Sequence, residues 1–233
     1  MPKKRSLVSL LIVSVLSLIF CCVESAHLFL DADEEFEDFT DELFCQEVSG
    51  NTITLHYTLQ NPSDYGIKEP DISLGIYPTS SSEICTAAEN CLARLESIPY
   101  QELGSDNQLT YLVLEDSLNQ TLSKAPYILY DEPLSPLTGT QSQLPVLLSE
   151  YPFHDTDDVD TYLELIKTLP EHFDSLIDFE RAKSDAGLFM ASYSADAIIK
   201  ECSSFLNMGS ANYLYSSFED RIGKLNNCDT SQK

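Results

Sequence analysis

Positive charge is scarce in this sequence. Its 233 residues hold 13 Lys and Arg against 38 Asp and Glu, a formal net charge of −25. Binding nucleic acid or an anionic membrane surface depends on Lys and Arg that neutralise phosphate. The imbalance argues against both partners. It leaves an acidic, solvated surface, or one suited to cationic ligands. Glycine is thin too, with 8 residues spread along the chain, and no Gly-rich phosphate loop occurs. No Gly-x-Ser-x-Gly nucleophile elbow is present. The histidines are His27, His56, His154 and His172. None is followed by Glu, and no two stand four positions apart. A helical zinc motif needs two imidazoles at i and i+4 to reach one metal, with a Glu beside them to activate water. There is no internal repeat and no low-complexity segment.

What is present suffices for a folded core: 43% of the residues are hydrophobic. The length fits one or two domains. Residues 1–25 read as a secretory signal peptide. Lys3, Lys4 and Arg5 form a basic start, Leu7 to Val23 an apolar run, and cleavage is expected after Ser25. Removing that segment takes away three positive charges and Glu24, so the remainder is more acidic still. Two alternatives stay open. The run is just long enough to act as an uncleaved anchor. Cys21 or Cys22 is a candidate for lipoprotein anchoring, although Phe20 stands where a small residue is wanted. The sequence therefore points to a secreted or cell-surface protein with no stable membrane association beyond this segment.

Five cysteines follow: Cys45, Cys85, Cys91, Cys202 and Cys228. The number is odd, so at least one stays unpaired if all pairing is internal. Cys85 and Cys91 would stand about 9 Å apart along a regular helix, too far for a disulfide. No spacing is CxxC-like, and buried free thiols are the default expectation.

Helical periodicity runs through most of the chain. The spacing predicts helices over Asp31–Val48, Ser82–Leu95, Ser105–Ser123, Leu144–Glu150, Asp157–Leu169, from Pro170 to about Ala186, Ser194–Leu206 and Asn212–Leu225. Pro170 suits a first turn and Gly187 a C-terminal cap. The pair around Ile98-Pro99 reads as a helical hairpin. Thr52–Leu59 differs, because Ile53, Leu55, Tyr57 and Leu59 alternate with Thr52, Thr54, His56 and Thr58. That pattern predicts a half-buried strand. Ile72, Leu74 and Ile76 suggest a second, short one. Ala125–Leu137, with three prolines, reads as a crossing segment that is extended at Tyr127–Tyr130 and buries its tyrosines and leucines. The expected fold is mainly α: one helical domain over 26–233 with a small antiparallel β-hairpin near its N-terminus.

Few residues invite a chemical role. Asp155, Asp157, Asp158 and Asp160 look like a calcium loop. Counted from Asp155, however, the sixth and twelfth positions are Asp160 and Ile166, where an EF-hand needs Gly and Glu. They fit better as capping charge at a helix N-terminus. His56 is the most interesting histidine: it is expected to bond a neighbouring strand or loop, or to contribute to a cleft. No catalytic, cofactor-binding or metal-ligating residue is assigned from the sequence.

Two stretches carry a resemblance. One is Gly139 to Phe205, GTQSQLPVLLSEYPFHDTDDVDTYLELIKTLPEHFDSLIDFERAKSDAGLFMASYSADAIIKECSSF. The other is Glu42 to Ile67, ELFCQEVSGNTITLHYTLQNPSDYGI. Both closely resemble the bacterial domain-of-unknown-function 885 family, and the resemblance spans about Phe36 to Leu225. It implies a zinc-dependent, peptidase-like protein. The family's metal motif, a His-Glu-x-x-Pro-Gly-His-like segment on a helix, lies downstream of these regions and does not occur here. The resemblance thus implies the N-terminal, non-catalytic part of a secreted zincin-like protein, truncated before its metal motif. No cofactor is expected in this chain, and zinc is expected in the full-length family. The expected partners are the missing C-terminal half or a peptide substrate. Phe205, Leu206, Tyr213, Leu214 and Phe218 should then form an exposed apolar face. The alternative is a stand-alone, acidic, secreted binding module without catalytic activity.

Overall fold

A computed structural model of the protein describes residues 31–68 and 70–231. The expected signal segment, with the alternatives at Cys21 and Cys22, lies outside the described residues. The helices are α1 (Ala32–Ser49), α2 (Thr52–Thr58), α3 (Ser82–Ser97), α4 (Ser105–Lys124), α5 (Thr140–Glu150), α6 (Thr156–Lys167), α7 (Leu169–Asp185), α8 (Ser192–Asn207) and α9 (Tyr213–Ser231). The protein is mainly helical, and no strand occurs among the described residues.

The chain divides into two compact units. In the first are the described residues up to Leu43, together with Thr86–Thr121. Phe36 and Phe39 lie on one stripe of α1 and meet Leu95, Ile98, Leu103 and Tyr111 from the hairpin of α3 and α4. Helical spacing puts these apolar side chains on facing stripes, and their removal from water drives the packing. Asp33 fastens the hairpin turn: its carboxylate accepts the Gly104 backbone N–H at 2.9 Å and the Asn107 amide at 2.8 Å. Those bonds favour the charged form and hold Asp33 below its usual carboxylate range.

The second unit takes Phe44–Cys85 and Leu122–Lys233. Its main core gathers Ile53, Leu74, Leu144, Leu148, Tyr151, Tyr162 and Leu165. Val48, Leu55 and Leu59 form a smaller cluster. Helix α9 packs on α5, and α6 packs on α7. Helix α7 ends as its sequence suggests. Gly187 adopts φ 74°, with its N–H donating to Ser184 and the Leu188 N–H to Lys183. This is the double closure that an αL glycine permits.

The predicted hairpin is a correction. Thr52–Thr58 is helical because Asn51 caps it, its Oδ1 accepting the N–H groups of Ile53 and Thr54 at 2.9 and 3.2 Å. Thr52, Leu55 and Leu59 are buried at helical spacing, while Tyr57 is 48% exposed, which breaks the alternation. The segment around Ile72 and Leu74 runs beside the start of α2 without forming a strand. The Thr52 N–H donates to Ser73 O at 2.8 Å, and Asn51 Nδ2 donates to Leu74 O at 2.7 Å. Ile76 is exposed.

A second correction concerns the proline-rich segment. Ala125–Tyr130 is a 3-10 helix rather than extended, with Pro126 in its first turn. Tyr127, Tyr130 and Leu137 are exposed. The cysteines are corrected too: Cys45, Cys85, Cys91 and Cys202 are free thiols, as expected, but half-buried.

Candidate functional site

The polar cluster around His56 lies within the second unit. Three elements build it. Helix α2 supplies His56 from its last turn. The segment between α5 and α6 supplies Tyr151, Pro152 and His154. The first turn of α6 supplies Asp158.

Local chemistry fixes each part. Asp155 caps α6, its Oδ1 accepting the N–H groups of Asp157 and Asp158 at 2.9 and 3.0 Å. Capping is thus the observed role of Asp155. Asp158 reaches back, its Oδ2 accepting the His154 backbone N–H at 2.7 Å. These bonds turn the 151–155 segment across the end of the helix and point the other oxygen, Oδ1, at His56. His56 Nε2 donates to Pro152 O at 2.9 Å, and His56 Nδ1 lies 3.5 Å from Asp158 Oδ1. Beneath the imidazole lies Tyr151, stacked nearly parallel to it and fully buried.

Electrostatics follows from this placement. Burial is the largest influence on His56 and disfavours imidazolium, so its pKa falls below the ordinary value. The Pro152 bond and the Asp158 charge oppose that shift. The Tyr151 hydroxyl is held well above the usual tyrosine range, first by burial and then by Asp158.

The ligand atoms of His56, His154 and Asp158 lie within 4.8 Å of one another. A pocket of about 340 Å³ opens beside them, with His56, Tyr151 and Asp158 in its wall. Two imidazoles and a carboxylate at this spacing can hold a divalent metal or pass a proton.

The sequence singles out His56 and places it on a strand. The structure puts it on a helix and bonds it to the 151–154 loop. It also brings in His154 and Asp158, which sequence reasoning does not connect with His56. The one available signal was that His154 and Asp158 stand four apart across a capped helix start. His172 is held elsewhere, buried, with Nδ1 bonded to Gly75 O at 2.8 Å. His27 lies outside the described residues.

A second feature is an apolar groove of about 470 Å³ along α6, α8 and α9. Phe205, Leu206, Leu214 and Phe218 line it, joined by Leu163 and Tyr215. Leu206 is 75% exposed and Tyr215 63% exposed. Tyr213, expected on the same face, packs edge-on against Phe205.

No curated protein and no solved structure matches the chain. A family model does match residues 76–231, that of a bacterial protein of unknown function, DUF885. The match includes His154, Asp158 and the groove residues, while His56 and the Glu42–Ile67 stretch precede it. Because it covers more than half of the chain, the protein belongs to the DUF885 family.

Proposed function

We propose that this chain is the N-terminal, non-catalytic part of a secreted, zinc-dependent peptidase-like protein. In this reading it shapes one wall of a substrate cleft, and the catalytic zinc sits in a C-terminal half that carries the His-Glu motif. The apolar groove of α6, α8 and α9 carries the proposal. Leu206 and Tyr215 are left open to water among the described residues, and exposed apolar surface of that kind marks a contact site. The C-terminal half is its proposed occupant. Family membership is consistent with this reading.

The test is the intact mass of the protein recovered from its native source, with peptide mapping at its C-terminus. The proposal expects a product heavier than 26.1 kDa, with peptides beyond Lys233 and zinc-dependent peptidase activity. In that product, Leu206→Glu should lower activity by disturbing the docking of the two halves. A natural product that ends at Lys233 overturns the proposal and leaves the stand-alone acidic binding module.

A further inference from the structure

The contact between His56 and Asp158 is incomplete as it stands. A carbonyl oxygen can only accept, so the bond to Pro152 O requires the proton on Nε2 of His56. A neutral imidazole then presents a lone pair at Nδ1. That lone pair faces Asp158 Oδ1 at 3.5 Å, an acceptor facing an acceptor. A cation between its members, a proton or a metal ion, would turn this repulsion into attraction.

We infer that His56, His154 and Asp158 form a binding site for a divalent transition metal of the zinc class. His56 binds through Nδ1, Asp158 through Oδ1, and His154 through a ring nitrogen.

Four observations carry the inference. First, metal–ligand bonds of about 2.0–2.1 Å in a tetrahedron put neighbouring ligand atoms about 3.4 Å apart. His56 and Asp158 already stand at 3.5 Å. Second, all three ligand atoms lie within 4.8 Å of one another. His154 is exposed, so its side chain can close the remaining gap without unpacking a core. Third, the outer contacts that orient ligands at metal sites are present. His56 donates its other ring N–H to a backbone carbonyl, and Asp158 Oδ2 is held by the His154 N–H. Fourth, two imidazoles and one carboxylate select zinc-like ions over calcium or magnesium, which prefer oxygen ligands. Three protein ligands leave a fourth position for water or a bound molecule, and His56 and Asp158 both face the pocket of about 340 Å³.

This site is separate from the zinc motif expected in a C-terminal half, so it does not depend on the function proposed above. The experiment uses the full chain without a histidine tag, stripped with EDTA and titrated with Zn²⁺ by calorimetry. Co²⁺ titration, read by its visible d–d bands, reports the ligand set. The expected result is one Zn²⁺ per chain, with Ca²⁺ and Mg²⁺ failing to compete. His154→Ala, at an exposed position, should keep the fold by circular dichroism, weaken Zn²⁺ by at least about tenfold and change the Co²⁺ bands. Asp158→Asn should weaken binding similarly. Asp160→Asn, an exposed acid outside the cluster, should leave it unchanged. Absence of Zn²⁺ binding by the stripped wild type overturns the inference. So does equal affinity in His154→Ala and Asp158→Asn, or an equal loss in Asp160→Asn.

Discussion

His56 lies flat against Tyr151, with ring centroids 3.9 Å apart and planes 8° from parallel. This stack joins the polar cluster to the core of the second unit, because the same tyrosine ring meets Phe153 and Tyr162 on other sides. Tyr151 is fully buried, yet its hydroxyl has no hydrogen-bond partner among the described residues. Ring and hydroxyl therefore make different predictions. Tyr151→Ala opens a large cavity and should cost about 3–5 kcal/mol in urea unfolding. Tyr151→Phe removes an unsatisfied group without orphaning a partner, so its cost should stay below about 1 kcal/mol. A loss of several kcal/mol in Tyr151→Phe would reveal a bonded hydroxyl and refute this account.

Asn51 decides the conformation of the segment that carries His56. Its Oδ1 caps α2 and its Nδ2 donates to Leu74 O, so one side chain ties the helix start to the extended segment beside it. Asn51→Ala should cost more than an ordinary cap. The cap contributes about 1 kcal/mol, and leaving the carbonyl of buried Leu74 unpaired adds about 1–3 kcal/mol. Asn51→Asp keeps the cap acceptor and loses the donor, and should recover only the smaller part. Urea midpoints of the three proteins check the order. Equal stability of Asn51→Ala and Asn51→Asp would contradict it.

That residue also shows where the sequence is readable. Asp155 before a periodic run, Pro170 in a first turn and Gly187 after a last turn each act locally, and the helices they bound were legible. Thr52–Thr58 is too short for periodicity to choose between 2.0 and 3.6, and the alternation of Ile53, Leu55 and Tyr57 misled. The deciding signal was Asn51 as a helix cap. The His56 cluster was not legible for a different reason. His56 and its partner Pro152 stand 96 positions apart, and nothing in either local pattern reports the other. Tyr127 and Tyr130 show the converse error, since aromatic content suggested burial where the chain leaves both rings exposed.

Gly139 makes a sharper local prediction. A Cβ added there would collide with the backbone N of Ser135 and stand 2.7 Å from its carbonyl oxygen. Backbone atoms cannot yield as a flexible side chain can. Gly139 also stands at the start of α5, donating its N–H to Ser135 O at 3.1 Å. Gly139→Ala should therefore displace the turn before α5 and cost at least about 2 kcal/mol, within the range for overpacked sites. Thermal unfolding measures it. A neutral Gly139→Ala would show that this turn can open without loss.

Lys183 and Glu180 lie one turn apart on α7, and both are buried. The Lys183 ammonium is satisfied: it donates to Asp131 O at 2.5 Å and pairs with Glu132 at 2.9 Å. Neither Glu180 oxygen has a hydrogen-bond partner among the described residues. Burial raises the Glu180 pKa above its ordinary 4.5, and the charge of Lys183 partly opposes the rise. Between 4.5 and the raised value the folded chain binds more protons than the unfolded chain, so this group's contribution to stability falls as pH rises and is flat above that window. Glu180→Gln should remove that fall, so its advantage over wild type should grow as pH rises and then level off. Lys183→Met deletes the opposing charge and should carry the window to higher pH, and it leaves the Asp131 carbonyl without its donor, a loss of about 1–3 kcal/mol. Urea unfolding of wild type, both single variants and the double variant from pH 4 to 8 separates the two effects. If Glu180→Gln parallels wild type throughout, Glu180 is ionised without penalty and the buried carboxyl has a partner that the geometry does not provide.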